Sequence, residues 1–152
     1  MGGGGNQNGS QVNVYLDLGP EDTKPIICLD FDGVIHLYSE PWKGPGIIED
    51  GMVPGFLDWA AEAQKYFRLV IYSARSRTDE GIQAMRIWLH ARMIEWYEAG
   101  GSLTVQFNFE FAYEKPKAFL TIDDRAIQFD GDWSAMGTKQ LLSFKPWNKR
   151  AL

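Results

Sequence analysis

Short runs of apolar residues recur along the chain without the three-and-four spacing of a helix face. Ile26-Ile27-Cys28-Leu29 is followed by Asp30, and Phe67-Arg68-Leu69-Val70-Ile71-Tyr72 runs into Ser73. Ala118-Phe119-Leu120-Thr121-Ile122 runs into Asp123-Asp124. Such runs are expected of strands covered on both faces, as in a parallel sheet. A further strand is expected at Leu103 to Phe107, and Ala126 to Phe129 is a candidate fifth. Helical spacing lies between them. Phe56, Leu57, Ala60, Ala61 and Ala63 share one face of a helix over Gly55 to Tyr66, with Pro54 suited to its first turn. Ile82, Met85, Leu89, Met93 and Trp96 mark a longer helix from Asp79 to about Ala99. Thr78 is its expected N-cap, and Gly100-Gly101 its stop. Ser134 to Ser143 is a candidate last helix, weakened by Gly137.

Strands alternating with helices predict an α/β fold with a mainly parallel sheet. Residues 1–10, MGGGGNQNGS, read as a flexible tail, and 11–152 as a single domain. Gln11 to Leu18 alternates as an edge strand would, or forms an ordered lead-in. Residues 34–53 are rich in glycine and proline and predict an irregular flap.

Composition narrows the class. The 152 residues are 45% hydrophobic and 23% charged, as in a soluble globular domain. The net charge of −5 argues against a broad basic face for nucleic acid. No apolar run reaches the length of a membrane span, so no membrane association is expected. A single cysteine, Cys28, excludes an intrachain disulfide and points to a reducing, cytoplasmic compartment. The N-terminus lacks the basic and apolar regions of a secretory signal.

The polar clusters follow the strands. Asp30 and Asp32 come after the first, Ser73, Arg75 and Arg77 after the second, and Asp123 and Asp124 after the last well-marked one. In parallel α/β sheets ligands bind beyond the carboxyl ends of the strands. Carboxylates converging there repel one another and call for a hard cation such as Mg²⁺. No His/Cys cluster offers a zinc site, and His36 and His90 lack partners at ligand spacing. A carboxylate beside such a cation can attack phosphorus, and a second can move the proton. Asp30 and Asp32 have the types and spacing for those roles. Ser73 offers a hydroxyl and turn amides to a phosphate, or simply sits in a turn. Arg75 and Arg77 could bind a second phosphate or a leaving group, or merely line a solvated helix entrance. Lys115 or Lys117 could offset phosphoryl charge. Tyr38 and Trp42 in the flap pack on the domain or stack on a base, packing being the favoured reading.

Asp30-Phe31-Asp32-Gly33-Val34-Ile35 resembles the first motif, DxDGxx after an apolar strand, of the haloacid dehalogenase superfamily. Ser73 resembles its second motif, Lys115 its third-motif lysine, and Asp123-Asp124 its acidic fourth motif. The matches come in family order from residue 26 to about 130. The resemblance implies a Rossmann-like three-layer sandwich, Mg²⁺ dependence and phosphoryl transfer through an aspartyl-phosphate. It makes Asp30 nucleophile and metal ligand, and Asp32 the acid/base that also binds metal through its carbonyl. It gives Ser73 and Lys115 the phosphoryl group, Asp123 the metal, and Asp124 a supporting place; Arg75 is a supporting candidate by its own chemistry. Lys115 is preferred over Lys117 because it directly precedes a proline. The chain has no room for a large cap domain. The expected activity is a phosphomonoesterase acting on a phosphorylated small molecule, a nucleotide first, or on a nucleic-acid end. A phosphosugar or phosphoprotein phosphatase and a non-catalytic binding module are the alternatives. A receiver-type domain ranks lower, because its phospho-acceptor would follow the third strand.

Overall fold

A computed structural model of the chain describes residues 23–150. The candidate tail and the Gln11 to Leu18 element lie outside the described residues. Four strands form one sheet: β1 (Ile26–Leu29), β2 (Arg68–Ile71), β3 (Phe109–Phe111) and β4 (Leu120–Ile122). All pairings are parallel and the order is β3-β2-β1-β4. The registers Leu29↔Ile71 and Leu29↔Ile122 bring the carboxyl ends of β2, β1 and β4 level.

Two helices supply the cover. α1 (Phe56–Ala63) joins β1 to β2, and α2 (Asp79–Glu98) joins β2 to β3. Strand alternation sets Ile27, Leu29, Leu69, Ile71 and Phe111 on one face. These pack with Phe56, Leu57 and Ala60 of α1 and with Ile82, Met85 and Leu89 of α2 in one apolar core. Thr78 caps α2 as its sequence predicts, its Oγ1 accepting from the Gly81 amide at 3.0 Å. At α1 the cap is Gly55 in the left-handed region (φ 85°), so the helix starts two residues after Pro54.

The structure corrects three expectations. The third strand is Phe109–Phe111, not Leu103 to Phe107. Residues 103–107 instead make the return from α2: Val105 bonds back to Ser102, and Phe107 stacks on Phe109 and meets Trp96 edge to face. An aromatic that packs across a loop carries the same apolar signal as one in a strand. Ala126 to Phe129 joins no sheet. Ser134 to Ser143 splits at Gly137 into a 3₁₀ turn (Trp133–Ala135) and α3 (Thr138–Leu142). The second helical layer of a sandwich is not seen among the described residues: the β3–β4 connection, 112–119, holds no helix, and α3 buries no side chain. Leu120 and Ile122 of β4 are accordingly 40% and 37% exposed. No helix among the described residues is long and apolar enough to cross a membrane.

The strand order matters most for function. From β1 the chain steps outward to β2 and β3, then returns to the other side of β1 for β4. The order reverses between β1 and β4, and a crevice opens at the carboxyl ends of strands at such a point.

Candidate metal and phosphate site

Asp30 directly follows β1, and Asp123 and Asp124 directly follow β4. The two strands are neighbours in parallel register, so their outgoing residues emerge side by side. One carboxylate oxygen from each of Asp30, Asp123 and Asp124 lies within 4.8 Å of the others. The expected convergence of distant acidic residues is therefore present. Gly33 makes it possible. Its φ of 83° suits glycine, and a Cβ there would lie 2.1 Å from Asp124 Oδ2.

The three carboxylates are unequal. Asp123 is exposed, and its Oδ1 accepts from the Arg125 amide at 2.8 Å. Asp30 is half-buried and accepts from the Phe31 amide at 2.8 Å. The Asp124 side chain is only 2% exposed, yet neither of its oxygens has a well-formed hydrogen bond; they meet only the Asp124 amide and the Asp30 carboxyl. Arg125 Nε stands 4.0 Å away, beyond hydrogen-bond reach. Burial pushes the Asp30 carboxyl up to about 8, with the charges of Asp123 and Asp124 adding and the Phe31 amide opposing. Burial likewise pushes Asp124 up. Carboxyl groups this close and this dry must share a proton or a cation. Oxygen donors with two unpartnered buried lone-pair-bearing atoms fit a hard divalent ion such as Mg²⁺.

The other expected residues fall elsewhere. The Asp32 side chain is outside the acidic group. Arg75 Nε donates to it at 2.9 Å and Nη2 at 3.1 Å, and His36 Nδ1 is 2.9 Å from its Oδ1. Arg75 is buried, and its remaining donors are spent on the carbonyls of Gly44, Pro45 and Ile47. It is not open to a phosphate or a leaving group, which corrects that reading, whereas Arg77 is exposed. Ser73 is buried as the cap of the 3₁₀ turn Ala74–Arg77. Its Oγ accepts from the Arg75 amide at 3.0 Å and reaches Met85 Sδ at 3.6 Å. Lys115 and Lys117 are both exposed. Burial pushes the buried Cys28 thiol up, while Thr121 and Lys115 pull it down and Asp30 and Asp123 raise it.

Three contributors escaped sequence reasoning. His36 stands four residues after Asp32 across a tight turn, and that spacing was a usable signal. Its Nε2 accepts from the Asp50 amide at 3.2 Å, so a neutral ring carries its proton on Nδ1 and donates it to Asp32. Trp147 donates from Nε1 to the Gly33 carbonyl at 2.7 Å, and Asn148 donates to the Leu37 carbonyl at 2.9 Å. Contacts across more than a hundred residues leave no local pattern to read. In the flap, Trp42 lies 4.6 Å over the Arg75 guanidinium, a packing role. No protein-family model and no curated protein matches the chain.

Proposed function

We propose that this chain is a Mg²⁺-dependent phosphomonoesterase with a haloacid dehalogenase-like fold, working through an aspartyl-phosphate on Asp30. The observation that carries the reading is the acidic group at the switch point, which includes the buried Asp124 carboxylate with no well-formed hydrogen bond. Purely structural carboxylates are hydrogen-bonded when buried. Asp30, Asp123 and Asp124 would hold the ion. When bound, it would neutralise the carboxylates and polarise a phosphoryl oxygen.

The chain's own residues divide the remaining work. An ionised Asp30 attacks phosphorus, and the leaving alkoxide departs with a proton. Asp32, fixed by Arg75 and His36, is the candidate to supply that proton and to take one from the hydrolytic water. The exposed Lys115 is the candidate to offset phosphoryl charge. Among the described residues no separate cap domain is present, which suits a substrate held by its phosphate. Nucleotides and phosphorylated oligonucleotide ends are the first classes to test, ahead of phosphosugars and phosphoproteins.

Hydrolysis of an aryl phosphate tests the reading. Turnover should need Mg²⁺, stop with EDTA and be inhibited by beryllium fluoride. Hydrolysis that survives full chelation would remove the metal role. A wild-type protein that binds Mg²⁺ and hydrolyses no phosphomonoester would leave a binding module in its place.

A further inference from the structure

Among the described residues Arg75 is the largest fully buried side chain, at 1% exposure. Dehydrating a guanidinium costs several kcal/mol unless every donor finds a partner in good geometry. Here every donor group does. Nε and Nη2 face Asp32, with Nε at 2.9 and 3.2 Å from its two oxygens. Nη1 collects three carbonyls, Gly44 at 3.1 Å, Pro45 at 2.8 Å and Ile47 at 3.0 Å. Trp42 covers one face of the guanidinium, at 4.6 Å from its ring centre. The segment carrying these carbonyls belongs to no helix or strand. One cation substitutes for the missing ladder.

We infer that Arg75 is a positioning residue that fastens the 42–47 segment to Asp32, so that the seating of the segment and the orientation of the Asp32 carboxylate form one linked arrangement. Its consequence for turnover rests on the phosphatase reading above. Its structural consequence does not. The chemistry requires an arginine. A planar fork can face a carboxylate with one edge and carbonyls with the other, whereas a lysine ammonium has three donors at a single point. The turn that carries Arg75 is seated closely against the start of α2. Gly81 approaches the Arg75 carbonyl so closely that a Cβ there would lie 1.9 Å from that oxygen. His36 braces the far side, linking Asp32 to Asp50 at the end of the same flap.

The experiment pairs hydrogen–deuterium exchange with kinetics on the full chain, comparing wild type with Arg75→Lys. Peptides covering 42–50 should exchange about tenfold or more faster in the variant, while peptides within 79–98 keep their wild-type protection. With an aryl phosphate and Mg²⁺, kcat should fall about tenfold or more and KM should change far less, because a misplaced proton-transfer group affects the chemical step. Unchanged exchange over 42–50 would overturn the inference, whatever the kinetics. Faster exchange together with unchanged kcat would overturn the link to Asp32. If Arg75→Lys does not fold, Trp42→Ala removes the cover from the exposed side and should give the same local exchange; unchanged exchange there overturns the inference equally. Local loosening in a protein whose wild type hydrolyses no phosphate would support the fastening and reject only the proposed function.

Discussion

Asp32 and Asp124 are carboxylates at the same edge of the sheet, with side chains 14% and 2% exposed. Their surroundings differ completely. Asp32 receives Arg75 through two nitrogens and His36 through a third. Asp124 has no well-formed hydrogen bond: it meets only its own amide and the Asp30 carboxyl of the same acidic group. Folding dehydrates both, and only Asp32 is compensated from within the chain. The difference teaches where the molecule is finished and where it waits for something from solution. Asp32 belongs to an internal network that shapes the flap. Asp124, with Asp30 and Asp123, belongs to a site completed by a cation.

The sharpest break of this comparison falls on the incomplete side. Asp30→Asn keeps the side-chain shape and removes the attacking oxygen. Turnover of an aryl phosphate should drop by about 10³-fold or more, with the melting temperature held or raised. Residual activity near wild type would move the nucleophile off Asp30. On the completed side the large effect is on stability. Arg75→Met leaves the Asp32 carboxylate in a dry place without its cation and should cost about 3–5 kcal/mol in denaturant unfolding. A loss below about 1 kcal/mol would mean that the fork contributes little net energy.

Acid–base behaviour separates the sides next. Asp30 has an ordinary carboxyl value of 3.8 when unfolded and is pushed up to about 8 when folded. Between those values the folded state holds more protons than the unfolded one, so stability must fall as pH rises. Metal-free protein should therefore be most stable near or below pH 4 as far as this group is concerned, and lose that contribution progressively up to about pH 8. Mg²⁺ binds the ionised carboxylates and should restore stability most at the alkaline end. Melting curves in EDTA and in Mg²⁺ across this range check it. Parallel curves at all pH values would separate the ion from the carboxylates.

Much of this layout was legible beforehand because it depends on local signals. β1, β2 and β4 are marked by apolar runs, and each ends in a polar residue at its carboxyl edge. That pattern is enough to bring Asp30 to Asp123 and Asp124. Side-chain allegiance was not legible. Asp30 and Asp32 read as one pair, yet they turn toward different partners, because the partner of Asp32 is an arginine 43 residues away. Arg75 read as a phosphate or leaving-group ligand or as part of a solvated helix entrance, since nothing nearby in sequence announces three flap carbonyls. Phe109–Phe111 lost to Leu103 to Phe107 as the third strand because both stretches are apolar and aromatic. Only pairing with Leu69 and Ile71 distinguishes them.

A smaller substitution inverts the usual sign. Asp124→Asn retains volume and removes a charge that no well-formed hydrogen bond compensates. In EDTA at neutral pH it should leave stability unchanged or raise it by about 1–2 kcal/mol. In Mg²⁺ the order should reverse, since wild type gains from the ion and the variant largely does not. Asp32→Asn should destabilise in both conditions, because its cost comes from Arg75 and not from an ion. Identical behaviour of the two variants would dissolve the contrast between these carboxylates.

The smallest effect probes how the two sides are joined. Trp147 Nε1 donates to the Gly33 carbonyl at 2.7 Å, the turn that lets Asp124 approach β1. Trp147→Phe keeps most of the ring and deletes the donor, so it should cost about 1 kcal/mol of stability, the worth of one net hydrogen bond. The acidic group closes around this turn, so the same change should weaken Mg²⁺ binding by a few-fold, about 0.5–1 kcal/mol, as a lost outer contact does at a metal site. Asn148→Ala, which removes the donor to Leu37 and Tyr38 farther along the flap, should cost similar stability without touching Mg²⁺ affinity. Calorimetric titration of both variants measures the difference. Equal Mg²⁺ affinity in the two would show that Gly33 keeps its turn unaided and that the C-terminal segment serves the flap alone.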